Sequence, residues 1–296
     1  MENIEVRENR IVLSGLADEA ASDLPTQIAV HRELGWDHIE LRLVDGQNIA
    51  GQLPDEAFEK AAAELEESGI SVTGFGSAIG NWSRSIKDSF EIDLQELRTA
   101  IPRMHRLGVR YIRTMSWLGD GVEESAWRDE AVRRYRELAA MAEDGGVFLA
   151  HENCTGWGGL NAGNMLRLIE EVGSEHVVVL FDIGNTVSHG FPAWEFYEGV
   201  KGQIRYLHVK DCVVNPEGGR SERFRYPWEG DAMVREILAD AVVSGYQGVI
   251  SIEPHIASVV HDSANDPSPQ FMRESYVKYA RMLEEMLRDI GVPAGS

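Results

Sequence analysis

Four side chains that bind metals or exchange protons stand at the ends of four apolar runs in the second half of the chain. The runs cover residues 147–152, 177–182, 204–208 and 249–253, and they end in Glu152, Asp182, His208 and Glu253. Short runs that are apolar on both faces and flanked by polar segments are typical of strands in a buried parallel sheet. A carboxylate at the end of such a strand is unfavourable unless a partner compensates its charge.

Three carboxylates gathered at one point would repel one another, and a divalent cation would remove that repulsion. Three oxygen ligands and one imidazole suit Mn2+, Co2+ or Mg2+, and they also accept Zn2+. We therefore predict one divalent metal ion, with Mn2+ as the first expectation, held by Glu152, Asp182, His208 and Glu253. The alternative interpretation is four ordinary rim residues, each satisfied by a helix N-terminus or a lysine.

The four runs belong to a regular alternation of strand-like and helical segments. Strand-like runs begin near residues 11, 36, 70, 109, 147, 177, 204 and 249, and helical segments follow at 24–34, 54–68, 88–107, 124–144, 162–172, 193–200, 231–243 and 268–290. Strand–helix alternation predicts a parallel sheet. Eight units in 296 residues predict an α/β fold, a (β/α)8 TIM barrel, as a single domain over residues 1–296. A doubly wound sheet is the runner-up, disfavoured because no glycine-rich phosphate loop follows the first strand.

A barrel would bring the four terminal residues together, because the C-terminal ends of all its strands lie on one face. Side chains alternate along a strand. If Glu152 points into the barrel, Ala150 also points inward, while Leu149 packs against the helices. In the strands that end in Asp182 and Glu253, the side chains alternate in the same way, so that both carboxylates are expected to face the barrel interior. The pattern therefore places all the candidate ligands at one mouth.

The chain is strongly acidic, with a formal net charge of -21. This balance argues against a nucleic-acid partner, since phosphate contacts need clustered Lys and Arg. No run approaches the roughly 18 apolar residues of a membrane span, and residues 1–8 lack the apolar stretch of a signal peptide. Two cysteines are too few for a disulfide scaffold. We expect a cytoplasmic protein with no nucleic-acid or membrane partner.

The strand-end set, together with the segments 181–185 (Phe-Asp-Ile-Gly-Asn) and 208–211 (His-Val-Lys-Asp), resembles the xylose-isomerase-like superfamily of sugar and sugar phosphate isomerases and epimerases. The separation of 26 residues between Asp182 and His208 (208 − 182) is similar to that in ketose 3-epimerases. The resemblance implies a small sugar or keto-sugar as substrate. It also implies that Glu152 and Glu253 form an acid/base pair, moving a proton next to a carbonyl through a metal-stabilised enediolate.

Two departures separate this chain from the ketose 3-epimerases. Asn185 and Val214 stand where those enzymes usually carry a histidine and an arginine, and residues 215–229 form an inserted loop that contains Arg220. A basic loop over the mouth would suit an anionic, oxidised or larger glycosidic substrate. The alternative function is a metal-dependent lyase or dehydratase of a keto-sugar, keto-inositol or 3-keto-glycoside, including C-glycoside cleavage with a partner subunit. A non-catalytic metabolite-binding barrel is the third interpretation.

Further residues near the predicted mouth are candidates for contact with the substrate. Lys210 is in phase with His208 and is expected to donate to the reacting oxygen. The expected substrate-binding residues are Asn185, His255, Trp117, Glu19 and Arg220. The native metal, the substrate and the oligomeric state, whether a homo-oligomer or a complex with a partner subunit, stay open at this point.

Overall fold

Eight parallel strands form a nearly closed barrel in a computed structural model of the chain, which describes residues 11–257 and 267–292. In chain order they are β1 (Ile11–Gly15), β2 (His38–Leu41), β3 (Ser71–Gly76), β4 (Tyr111–Ser116), β5 (Phe148–Gly156), β6 (Val177–Asp182), β7 (Ile204–Val209) and β8 (Gly248–Ile252). Each strand pairs with the next from β2 to β8, and β8 pairs with β1. A single bridge between Leu16 and Glu40 joins the remaining edge. The predicted (β/α)8 barrel is confirmed.

Helices connect the strands and surround the barrel. They are α1 (Leu24–Leu34), α2 (Asp55–Ser68), α3 (Glu91–Leu107), α4 (Glu124–Asp144), α5 (Ala162–Val172), α6 (Ile183–Ser188), α7 (Ala193–Val200), α8 (Val234–Val243) and α9 (Pro269–Asp289). Two of them begin three residues later than predicted. Ser85 and Asp88 form a turn before α3, and the Asp211 carboxylate accepts from the Gly230 and Ala232 amides before α8. Backbone groups that form hydrogen bonds in these turns are not available for the hydrogen bonds of an earlier helical turn.

The alternation of side chains along the strands divides the core as predicted. Ala150, Leu180, Tyr206 and Val249 form a buried cluster inside the barrel. The neighbouring positions face outward and pack in the larger clusters under the helices, as Leu149 does. Because a shift of one residue would exchange the two faces of a strand, this packing fixes which residues reach the mouth.

Short elements that the sequence did not predict shape the C-terminal mouth. Helix α6 starts directly after β6, and the Asp182 side chain caps it by accepting from the Asn185 amide at 2.9 Å. The inserted loop 215–229 contains one short strand, Phe224–Arg225, which pairs antiparallel with Asp211–Cys212 before the loop. This pairing folds the loop back toward the barrel.

Membrane-spanning segments were searched for among the described residues. None of the helices there is long and apolar enough to cross a bilayer. The segment 1–8, for which no signal peptide is expected, lies outside the described residues.

Candidate functional site

The four predicted ligand residues converge at the C-terminal mouth. Glu152 lies on β5, Asp182 ends β6, His208 lies on β7, and Glu253 follows β8. One oxygen or nitrogen atom from each lies within 4.8 Å of the others, and all four residues are buried. Adjacent strands hold this spacing, since Asp182 and His208 are direct partners in the sheet.

Each of the four residues contributes one fully buried oxygen or nitrogen atom that is free to bind a cation once the Lys210 ammonium is displaced. These atoms are Glu152 Oε2, Asp182 Oδ2, His208 Nδ1 and Glu253 Oε2. Lys210 Nζ lies 2.9 Å from Asp182 Oδ2 and from Glu253 Oε2 as an ion pair. Buried polar atoms are nearly always satisfied. A set of three oxygens and one imidazole nitrogen fits a divalent cation.

A carboxylate across the barrel orients His208. Glu40, on β2, lies 3.0 Å from His208 Nε2 and also accepts hydrogen bonds from Tyr206 Oη at 2.9 Å and Ser251 Oγ at 2.5 Å. Burial lowers the pKa of His208, but Glu40 and Glu253 outweigh burial and raise that pKa to about 10. With Nε2 held by Glu40, Nδ1 faces the other three ligand residues.

The two candidate acid/base glutamates have different surroundings. Burial raises the pKa of Glu152 to about 7, although Arg113 lowers it, and Asn185 Nδ2 donates to Glu152 Oε1 at 2.9 Å. Burial also raises the pKa of Glu253, but Lys210 and its other cationic neighbours hold that pKa well below the usual range. Arg42 Nη1 donates to Glu253 Oε1 at 2.8 Å. At neutral pH Glu152 is therefore the more readily protonated of the two.

Behind Glu253 lies a second charged cluster, which the sequence only partly predicted. Arg42 Nε donates to Asp18 at 2.9 Å, and its Nη2 reaches Glu19 at 3.4 Å. The Glu19 carboxylate accepts from both the backbone amide and Nδ1 of His255 at 2.7 Å. These bonds hold His255 at a φ of 51°, an uncommon backbone conformation for a residue other than glycine.

A cavity of about 210 Å3 opens above the four converging residues. Six of the predicted site residues line it: Glu152, Glu253, Lys210, Asn185, His255 and Arg220. The lining also includes Arg42, Arg113, Trp82 and Phe224. Arg220 and Phe224 come from the inserted loop, so this loop forms part of the cavity wall. Asp182 and His208 lie beneath the lining and are fully buried.

Two predicted substrate-binding residues lie elsewhere. Trp117 follows β4 with a φ of 56°, and its indole is fully buried, where Nε1 donates to Asp93 at 2.9 Å. The left-handed turn directs the ring into the layer between barrel and helices, so the prediction that it lines the pocket is wrong. Glu19 is also outside the lining. It lies behind the lining, where it contacts His255 and Arg42.

The sequence analysis missed three buried residues of the site, Glu40, Arg42 and Arg113. The alternation of inward and outward side chains along their strands could have identified them. Glu40 and Arg42 are two residues apart at the end of β2, and Arg113 is two residues beyond the inward Tyr111 on β4. Charged residues in the inward phase of a buried strand indicate partners inside the barrel.

Comparisons with known proteins agree with this architecture. Residues 28–276 match the model of a family described as xylose isomerase-like TIM barrel. Fructoselysine 3-epimerase from Escherichia coli O157:H7 is 25% identical over 152 residues, which are 50% of this chain and 51% of that protein. This chain thus spans about half the length of that curated relative.

Solved structures are similar over nearly the whole chain. A D-tagatose 3-epimerase-like protein superposes with a TM-score of 0.71 at 17% identity, covering 95% of this chain and 98% of the other. A xylose isomerase-like TIM barrel protein from Mycobacterium smegmatis, in complex with magnesium, superposes with a TM-score of 0.65 at 21% identity, covering 94% and 97%. At these identities the likeness shows the shared fold.

Proposed function

The chain belongs to the xylose isomerase-like TIM barrel family, and from this premise we propose that it is a divalent-metal-dependent sugar isomerase or epimerase. The observation that carries the proposal is the convergence of Glu152, Asp182, His208 and Glu253, whose buried oxygen and nitrogen atoms lie within 4.8 Å of one another. These residues would hold the metal, with Mn2+ expected first. When bound, the cation would act as a Lewis acid that polarises a substrate carbonyl.

The residues of the chain would carry the proton between two carbons of the sugar. One glutamate of the pair Glu152 and Glu253 takes the proton from the carbon next to the carbonyl, and the electron pair of that C–H bond moves toward the carbonyl oxygen. The other glutamate returns a proton to the opposite face of the same carbon, which gives an epimer. For an isomer, the proton of the adjacent hydroxyl moves to the former carbonyl oxygen and a glutamate delivers its proton to the neighbouring carbon. Burial raises the pKa of Glu152 to about 7 in the metal-free site, and a bound cation would lower it and favour the carboxylate that accepts the proton.

Neighbouring side chains would position the substrate and supply donors. Lys210 lies in the cavity wall beside Glu253 and can donate to the reacting oxygen. Asn185 connects Glu152 with Lys210. Its side-chain Nδ2 donates to Glu152, and its Oδ1 accepts from Lys210 Nζ at 3.2 Å. His255 and Arg220 would contact more distant groups of the sugar.

Metal content tests the first half of the proposal. Elemental mass spectrometry of the protein loaded with Mn2+ and desalted should find about one ion per chain in the wild type and little in Asp182→Asn. Asp240→Asn, which changes a carboxylate on α8 outside the cluster, is the matched control and should retain the ion. A wild type that retains no divalent cation would contradict the proposed metal dependence.

Proton exchange tests the second half. Ketoses and keto-glycosides incubated with the loaded enzyme in D2O should gain deuterium at the carbon next to the carbonyl. Glu152→Gln and Glu253→Gln should each slow the exchange by about 10²-fold or more. Because both residues are also proposed ligands, the rates are compared at equal metal occupancy. A panel that shows neither exchange nor elimination would contradict both candidate reactions.

An elimination is the second candidate, and the position of Lys210 favours it. Its side chain is 3% exposed, and its ammonium faces the cavity beside Glu253. After a glutamate removes the proton, the electron pair forms a C=C bond, the C–O bond of the β-substituent breaks, and the leaving oxygen takes a proton from Lys210. Mass spectrometry distinguishes the two reactions, because elimination releases water or an aglycone whereas isomerisation preserves the mass.

A further inference from the structure

Arg113 keeps unused hydrogen-bond donors at the wall of the cavity. Its side chain is 7% exposed, and its Nη2 donates to the Ser77 carbonyl at 3.1 Å. Its buried Nε has no hydrogen-bond acceptor within residues 11–257 and 267–292. The nearest carboxylate oxygens lie 3.5 Å from Nε, on Glu152, and 4.0 Å from Nη1, on Glu253. Both distances exceed those of normal hydrogen bonds.

The other buried arginines of the described chain are compensated differently. Each forms an ion pair of 2.7–2.9 Å: Arg42 with Asp18, Arg103 with Asp55, and Arg134 with Glu130. A chain with 49 acidic residues could readily provide such a carboxylate. Arg113 therefore stands out as a buried cation without a hydrogen-bonded anion, an arrangement that is costly unless a ligand completes it.

A cation bound at the metal site would leave Arg113 with still less compensating negative charge. Glu152 and Glu253 are the two carboxylates nearest to Arg113, and both belong to the proposed ligand set. Oxygens engaged by a cation compensate a neighbouring guanidinium less well. The other residues that line the same cavity include the neutral Ser77, Asn81 and Thr155, which carry no charge that could compensate Arg113.

We propose that Arg113 forms an oxyanion subsite and that the sugar substrate carries a carboxylate or a phosphate. The planar fork of a guanidinium matches two oxygens of either group. A neutral hydroxyl would satisfy one donor but would leave the buried charge uncompensated. The inference rests on the proposed function in one respect, namely that the anion belongs to the sugar on which the reaction takes place.

Equilibrium binding tests the subsite without turnover. Isothermal titration calorimetry of the Mn2+-loaded protein compares three hexoses: D-glucuronate, D-glucose 6-phosphate and neutral D-glucose. At least one of the acidic sugars should bind about tenfold or more tightly than glucose. Preference for glucuronate identifies a carboxylate subsite, and preference for the phosphate ester identifies a phosphate subsite.

Variants test whether Arg113 is the residue that causes the preference for acidic sugars. Arg113→Met should bind the acidic and the neutral sugar with affinities within about twofold, and Arg113→Lys should keep part of the preference because it retains the charge but not the fork. Arg98→Met is the matched control, since Arg98 is half exposed on α3 and is not among the residues that line the cavity, and it should behave as the wild type. Circular dichroism verifies that each variant is folded.

Three results would overturn the subsite. They are equal affinity of the wild type for acidic and neutral sugars, retention of the acid preference in Arg113→Met, and loss of it in Arg98→Met alone. Failure to bind either acidic sugar at millimolar concentration would count in the same way. A protein that exchanges deuterium into neutral keto-sugars without any acid preference would keep the proposed function and lose the subsite, so the two failures are distinguishable.

Discussion

At the scale of single residues, Glu40 decides which nitrogen of His208 faces the ligand cluster. Its carboxylate holds Nε2 at 3.0 Å, and Tyr206 and Ser251 in turn hold the carboxylate. A second partner of this kind fixes the orientation of a metal-binding imidazole and raises its basicity. Glu40 is therefore a positioning residue for the proposed metal.

Glu40→Gln should weaken Mn2+ binding by about 10- to 100-fold, because the amide lacks the charge that supports the imidazole. Calorimetric titration of the metal-free protein with Mn2+ measures this directly. Tyr206→Phe is the control, since it removes one donor to Glu40 but leaves the carboxylate beside His208, and its effect should be smaller. Equal affinities for the wild type and Glu40→Gln would contradict the positioning role.

His31 shows the opposite behaviour, because it is buried in a neutral form. Its Nδ1 donates to the His38 carbonyl at 2.7 Å, and its Nε2 accepts from Tyr276 Oη at 3.0 Å. Burial lowers its pKa to about 4. Between about pH 6.5 and pH 4 the unfolded chain binds more protons at this site than the folded chain, so stability falls as the pH falls.

Replacing His31 should therefore remove part of the sensitivity to acid. From about pH 7.5 to about pH 5, the free energy of unfolding of His31→Gln should fall by about 2 kcal/mol less than that of the wild type. Urea unfolding at the two pH values measures the difference. His105→Gln changes an exposed histidine on α3 and should follow the wild type. Parallel pH dependence of wild type and His31→Gln would contradict this account.

At the scale of elements, the segment after β3 depends on a close approach to β4. The Ile79 and Gly80 carbonyls accept from the Met115 and Trp117 amides at 2.9 and 2.7 Å. Gly80 has a φ of 64°, and a Cβ there would lie 2.2 Å from the Met115 carbonyl oxygen. This contact sets the course of the following residues, among which Trp82 lines the cavity.

Two glycine substitutions separate backbone strain from this steric contact. Gly69→Ala, at a φ of 70° with open space around it, should cost about 1 kcal/mol of stability. Gly80→Ala combines a similar strain with the clash and should cost at least about 2 kcal/mol more. Chemical denaturation of both variants gives the comparison. Equal destabilisation by Gly69→Ala and Gly80→Ala would show that the segment after β3 can move to accommodate the added methyl group.

Periodicity and glycine punctuation predicted the barrel because its strands and longer helices each carry enough residues to show a pattern. Helix α6 was missed, since the six residues of Ile183–Ser188 are too few for a helical period. The ligand set was predictable because each member ends an apolar run. The role of Glu40 was not, because its partner His208 lies 168 residues away and only closure of the barrel joins them.

At the scale of the whole molecule, both halves of the barrel contribute charged groups to one site. The second half supplies the carboxylates Glu152, Asp182 and Glu253 together with Lys210, and the first half supplies Arg42 and Arg113 together with the carboxylate Glu40. Barrel closure is needed to bring these groups within reach. A ligand that joins the carboxylates therefore stabilises the arrangement of four strands rather than one local turn.

Bound Mn2+ should consequently stabilise the entire fold. A ligand that binds only the folded state at a concentration 100-fold above its Kd adds about 2.7 kcal/mol to the free energy of unfolding. Urea unfolding with and without Mn2+ should show this gain for the wild type and for Asp240→Asn, but not for Asp182→Asn. An equal gain in Asp182→Asn would place the cation outside the four-residue cluster, because Asp182 contributes one of the buried oxygens that define it.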